Sequence, residues 1–314
     1  MRRGPSRLVM ACVVVLVAVP ALAGCEAKVY GTTPGATEPP IVVIAPQGDS
    51  APLPEPPPDE PAAAFDGLAA RARQATADAA KAGADITAVV LDRNTGLTVS
   101  NGNDEPMPVA SVVKLFIADD LLLQEANGQT QLTAEDRAAL DKMLRSSDDS
   151  AAEVFWNRSG GSDIVERVTA RYGLRDTKTP YNGRWFNTLS TTADLVRYYD
   201  MLLSGAGGLP PDRASIILTN LANSTPIAID GTQPGGVYPQ RFGIPDGLDR
   251  EPVAVKQGWF CCWNGGNWVH WSTGVIGPDR RYVMAIASMQ PGDDVTARNT
   301  ITQAVKTMFP GGRI

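Results

Sequence analysis

Pro108-Val109-Ala110-Ser111-Val112-Val113-Lys114-Leu115-Phe116-Ile117-Ala118 is the stretch whose reading decides the fold. The Gly102–Pro108 segment before it is rich in Gly, Asn, Asp and Pro, a loop composition. After it an apolar run of helical length reaches Leu123. Ser111 therefore falls at or near a helix N-terminus, where backbone N–H groups lack intrahelical partners and face any nearby anion. Lys114 follows about one turn later on the same face. A serine nucleophile needs such an arrangement: the amine takes the hydroxyl proton and the backbone N–H stabilises the oxyanion. A serine at a helix start is also an ordinary N-cap, so this spacing gains meaning only from the rest of the chain.

Upstream, Arg2, Arg3 and Arg7 precede the apolar run Leu8–Val19, and small residues follow. That is a secretory signal, too short for a comfortable membrane span. Leu22-Ala23-Gly24-Cys25 resembles the bacterial lipoprotein signal, which implies removal of residues 1–24 and acylation of Cys25. Two or three acyl chains on that cysteine would hold the protein stably on the extracytoplasmic face of the cell membrane. Residues 25–61 form a Pro-rich tether; Glu26–Pro61 holds 10 of the 25 prolines, a composition that builds no core. The formal charge is −6, and −9 once the signal, with three Arg and no acid, is gone. That balance argues against nucleic acid or anionic lipid as a partner.

Residues 62–314 make one domain of ordinary size. Phe65, Leu68, Ala69, Ala72, Ala75 and Ala79 recur at helical spacing. Ile86–Leu91 and Leu97–Ser100 read as strands about an Asn/Gly turn. Residues 131–222 are mostly helical around an irregular loop, Leu174–Ser190, and Gly205–Arg250 is Gly/Pro-rich and mostly loop after the last of those helices. Val253–Gly258, Trp268–Gly277 and Arg281–Ser288 are strands, and Asp294–Phe309 is a final helix with Val295, Ile301, Ala304, Val305 and Met308 as its buried stripe. The expected fold is α+β: an antiparallel sheet flanked by N- and C-terminal helices, with an inserted all-helical lobe.

This order, with Ser111-x-x-Lys114 opening the lobe, resembles the class A β-lactamase and penicillin-binding-protein superfamily, whose motifs are Ser-x-x-Lys, Ser-Asp-Asn and Lys-Thr-Gly. Ser147-Asp148-Asp149 is similar to the second and Lys256-Gln257-Gly258 to the third. The tether and the alanine-rich make-up resemble lipoproteins of the mycobacterial type. The superfamily likeness implies Ser111 as acylated nucleophile, Lys114 as general base and Ser147 as proton relay. It implies a substrate site at Asp149, Lys256, Gln257, Gly258 and Trp259, with the backbone N–H groups of Ser111 and Trp259 as oxyanion hole. The substrate would be a peptidoglycan-like peptide, an ester or a β-lactam.

The departures are informative. Asp149 stands where the family has Asn; an ionised carboxylate only accepts hydrogen bonds, and near Lys114 it would hold the amine protonated and make it a poor base. Gln257 replaces a hydroxyl residue, and Asp176–Ser190 contains no Glu to activate a deacylating water. An efficient β-lactamase is not expected: the sequence points to an acylatable site with slow or no turnover, or to a degenerate binding or regulatory domain. No cofactor or metal is called for, since His270 and two adjacent cysteines make a poor zinc set. Cys261 and Cys262 leave open a disulfide or two inert thiols on opposite faces of a strand.

Overall fold

A computed structural model describes residues 65–231 and 234–314. The signal segment, Cys25 and the Pro-rich tether lie outside the described residues. The elements are α1 (Leu68–Lys81), β1 (Asp85–Asp92), β2 (Thr98–Ser100), β3 (Met107–Pro108), α2 (Lys114–Ala126), α3 (Ala134–Arg145), α4 (Asp149–Arg158) and α5 (Asp163–Tyr172). They continue with β4 (Leu189–Ser190), α6 (Thr192–Ser204), α7 (Pro211–Ala222), β5 (Ile227–Ile229), β6 (Val237–Pro239), α8 (Ile244–Gly247), β7 (Val253–Trp263), β8 (Asn267–Ile276), β9 (Tyr282–Pro291) and α9 (Asp294–Met308).

The main sheet is antiparallel, in the order β2-β1-β9-β8-β7. Strand alternation gives it a core on each face. Ile86, Ala88 and Val90 of β1 and Met284 and Ile286 of β9 pack under α1 and α9. Val89, Val283, Ala285 and Trp271 turn the other way, onto the helical lobe. α2 runs through the centre of that lobe, buried from Lys114 to Leu122. Two acids lie in that buried run. Asp119 is paired with Arg171 and accepts from the hydroxyl of Tyr172 at 2.5 Å, while Asp120 takes both arms of the Arg167 guanidinium at 2.8 Å. Thr133 and Asp136 close a reciprocal capping box at the start of α3, as the sequence suggests.

Three expectations need correction. Gly205–Arg250 is not plain loop beyond its helix: β5 and β6 pair within it, and α8 ends it. The strand expected to stop at Gly258 continues to Trp263, because it pairs with β8 along that length through a bulge between Phe260 and Trp263. Val295 is 50% exposed, because it lies off the face that carries Ala297, Ile301, Ala304, Val305 and Met308. Among the described residues no helix is long and apolar enough to cross a membrane.

Candidate active site

Ser111 sits in a short 3₁₀ turn, Ala110–Val113, that leads directly into α2. Three contacts fix this turn. The Trp271 indole N–H donates to the Pro108 carbonyl at 2.8 Å. The Val109 N–H donates to the Thr188 carbonyl at 2.8 Å, beside the β3–β4 pair. On its third side β7 passes so close that a Cβ on Gly258 would lie 2.5 Å from the Val109 carbonyl oxygen. Only glycine permits that approach. Gly258, expected among the substrate-binding residues, thus serves to seat the strand against the serine's turn.

Two backbone conformations mark the same spot. Ala110 and Ser147 adopt φ of 48° and 56°, a left-handed region that non-glycine residues rarely enter. Such conformations cost on the order of 1–3 kcal/mol each and concentrate at functional sites. Neither residue type announces that conformation in sequence.

The side chains form one continuous chain of polar contacts. Lys114 Nζ lies 2.8 Å from Ser111 Oγ, 2.7 Å from the Ser147 carbonyl oxygen and 3.2 Å from Ser147 Oγ. It also meets Asp149 Oδ1 at 2.6 Å and stands 4.7 Å from the centroid of the Trp185 ring. Lys256 Nζ donates to Ser147 Oγ at 2.9 Å and to the Gln257 carbonyl at 2.9 Å. Ser147 precedes α4, whose N-cap is Asp148, accepting from the Ala151 N–H at 2.7 Å and pairing with Lys142 at 2.9 Å.

Burial sets the protonation tendencies. It pulls Lys114 below the ordinary lysine value, against the opposing pull of the Asp149 carboxylate. It pushes Asp149 above the ordinary carboxylate value, with Lys114 opposing. Lys256 is drawn well down by burial and then by repulsion from Lys114. The Lys114–Asp149 ion pair anticipated from sequence is present, but desolvation outweighs it in setting the direction for the amine.

A cleft of about 840 Å³ opens at Ser111. Of the residues assigned to a substrate site, Asp149 and Trp259 line it and Lys256, Gln257 and Gly258 do not. The Gln257 side chain, 2% exposed, is turned onto the Phe242 carbonyl, and Lys256, 1% exposed, points at Ser147. Among the further lining residues, Trp185, Phe186, Glu153 and Asp230 have no signal in the sequence that marks them, whereas Phe260 belongs to the aromatic crowd, Trp259 to Trp271, that the sequence places at the end of the third motif. Trp185 and Phe186 come from the loop judged only by its missing glutamate; Glu153 comes from α4, Asp230 follows β5, and Phe260 lies on β7. Trp185 Nε1 donates to Glu153 Oε2 at 3.0 Å, and Trp259 Nε1 to Asp230 Oδ2 at 2.7 Å. His270 is buried away from this chemistry, its Nε2 2.8 Å from the Tyr238 hydroxyl, and burial lowers its pKa to about 3.

Cys261 and Cys262 form a disulfide at the outer end of β7, and Cys261 borders the cleft. Alkylation of the unfolded, unreduced protein should therefore leave both cysteines unmodified, and a reductant should expose two thiols. Mass spectrometry of the two samples reads the difference, and alkylation without reductant would contradict the bond.

No family model matches the chain. Lipoprotein LppW of Mycobacterium tuberculosis and that of Mycobacterium bovis are each 55% identical to it, with all of this chain and all of the relative covered. Among solved structures, a β-lactamase from Chitinophaga pinensis superposes with a TM-score of 0.59 at 14% identity, covering 76% of this chain and 97% of its own. PBP-A gives a TM-score of 0.61 at 18% identity, over 77% and 94% of the two chains. The β-lactamase from Streptomyces albus G gives 0.57 at 20% identity, over 76% and 97%. At these identities the likeness establishes the fold.

Proposed function

The chain belongs to the LppW family of lipoproteins, built on the β-lactamase-like fold, and from that premise we propose a lipid-anchored cell-envelope protein whose Ser111 is acylated by peptides, esters or β-lactams and released slowly or not at all. The observation that carries this reading is the unbroken run of contacts from Ser111 Oγ through Lys114 Nζ and Ser147 Oγ to Lys256 Nζ. Acylated Cys25 anchors the protein on the extracytoplasmic face.

In the acylation step Ser111 Oγ attacks the acyl carbonyl carbon and its proton passes to Lys114 Nζ, which lies within general-base reach. A C–O bond forms to the enzyme as the donor's C–N or C–O bond breaks. Ser147 hands its hydroxyl proton to the departing amine or alkoxide and is reprotonated from the lysines beside it. The backbone N–H groups of Ser111 and Trp259 hold the oxyanion. Slow release is supported by the loop Asp176–Ser190, which holds no Glu and presents Trp185 and Phe186 to the cleft. The Asp149–Lys114 contact favours the second reading, a binding or regulatory domain without turnover.

Incubation with a fluorescent penicillin and, separately, a fluorophosphonate decides between them. Wild-type protein should carry a covalent label from at least one probe, stable for hours, and Ser111→Ala should carry none. Absence of Ser111-dependent label with both probes after long incubation rejects the acyl-transfer reading and leaves the binding domain.

A further inference from the structure

Among the described residues three carboxylates line the cleft, Asp149, Glu153 and Asp230, and no Lys, Arg or His does. The two lysines behind the serine are turned to partners within the protein, Lys114 Nζ to Asp149 at 2.6 Å, so that Glu153 and Asp230 are the acids of the wall outside that ion pair. Both are buried, and Lys256 Nζ, the group that would meet a substrate carboxylate, is turned to Ser147 Oγ and to the carbonyl of its own strand. A ligand anion therefore finds acceptors and like charge where it would need donors.

Aromatic residues make up half of the remaining lining: Trp185, Phe186, Trp259, Phe260 and Trp268. The acids and the rings are built together. Glu153 accepts the indole N–H of Trp185, and Asp230 accepts that of Trp259, so each carboxylate is held at the edge of a ring that also borders the cleft. A carboxylate beside an aromatic face is a seat for a positive group carried on an apolar body, through Coulomb attraction and attraction to the ring quadrupole. The acids are not grouped so as to hold a metal ion, which leaves an organic cation, an ammonium or guanidinium, as the matching chemistry.

We infer that the cleft selects acyl donors bearing a cationic group on an apolar or aromatic body, such as amine-bearing peptides or esters, and disfavours donors with a free carboxylate. This deepens the acyl-transfer reading by naming the donor class. A penicillin with its free carboxylate should therefore label more slowly than the same penicillin with that carboxylate esterified.

The test is binding to the full-length Ser111→Ala protein, which cannot be acylated, so its outcome is independent of whether the serine reacts. Tryptophan fluorescence is titrated with phenylethyl-trimethylammonium, phenylethanol and phenylpropanoate. The cation should bind about tenfold tighter than the anion, a difference of ~1.4 kcal/mol, with the alcohol between them. Added salt should narrow the gap through screening. Glu153→Gln and Asp230→Asn, which keep an acceptor for the indoles, should each cut the cation's advantage severalfold; circular dichroism confirms that the variants fold. Equal affinity for cation and anion, a preference for the anion, no response to any of the three, or a cation preference unmoved by both variants would overturn the inference.

Discussion

Asp149→Asn should accelerate fluorophosphonate labelling of Ser111 at neutral pH by about tenfold or more, and move the rising limb of its pH profile to lower pH. Lys114 acts as a base only as the free amine. Burial already lowers its pKa, and Asp149, at 2.6 Å, resists that shift. An opposite charge this close is worth roughly 1–3 pKa units, and each unit removed multiplies the free-amine fraction by about ten below the midpoint. The sign is fixed: reactivity rises with pH as Lys114 deprotonates, and loss of the carboxylate brings that rise to lower pH. Above both midpoints the two proteins should react alike if charge is the whole effect. A remaining advantage for the Asn variant there would assign part of the gain to its side-chain N–H, which an ionised carboxylate lacks. An unshifted limb would refute the ion-pair argument.

Arg171→Met should destabilise the fold by about 3–5 kcal/mol, because it leaves Asp119 buried with its cationic partner gone. The hydroxyls of Tyr172 and Tyr198, at 2.5 and 3.3 Å, donate to Asp119 but carry no charge. Burial pushes the Asp119 carboxyl above its ordinary value, so the variant's folded state holds a proton that its unfolded state releases. Its deficit should then grow as pH rises from the ordinary carboxylate value toward the folded one, and shrink in acid. Urea midpoints across pH read this. Combining Arg171→Met with Asp119→Leu should recover most of the loss, since an apolar pair no longer leaves a buried charge. A deficit below ~1 kcal/mol at every pH would show that water or the tyrosines suffice.

Much of the fold is local enough to be legible. The apolar run after Ser111, the cap at Thr133 and the strand–turn–strand around Asn94 are short-range patterns, and each matches an element. What the sequence hides is set at long range. Nothing near Asp119 and Asp120 announces Arg171 and Arg167, which lie on α5. The presence of Ser111, Lys114, Ser147 and Lys256 in one site is legible by likeness, whereas the direction of Lys256 and Gln257 depends on which strand face meets which neighbour. Judging Asp176–Ser190 by the residue it lacks obscures the two rings it supplies. Asp230, in a segment of Gly and Pro, offers no periodicity by which to notice it.

The close pass of β7 at Gly258 has a bearing on how this cleft can change. Where backbone rests directly on backbone, the gap between the serine's turn and the strand is not adjustable through side-chain size. Variation in ligand preference is open instead to side chains elsewhere on the wall, among them Trp185 and Phe186 on a loop and Glu153 on an exposed helix face. A library aimed at new ligands should spare position 258 and diversify those three.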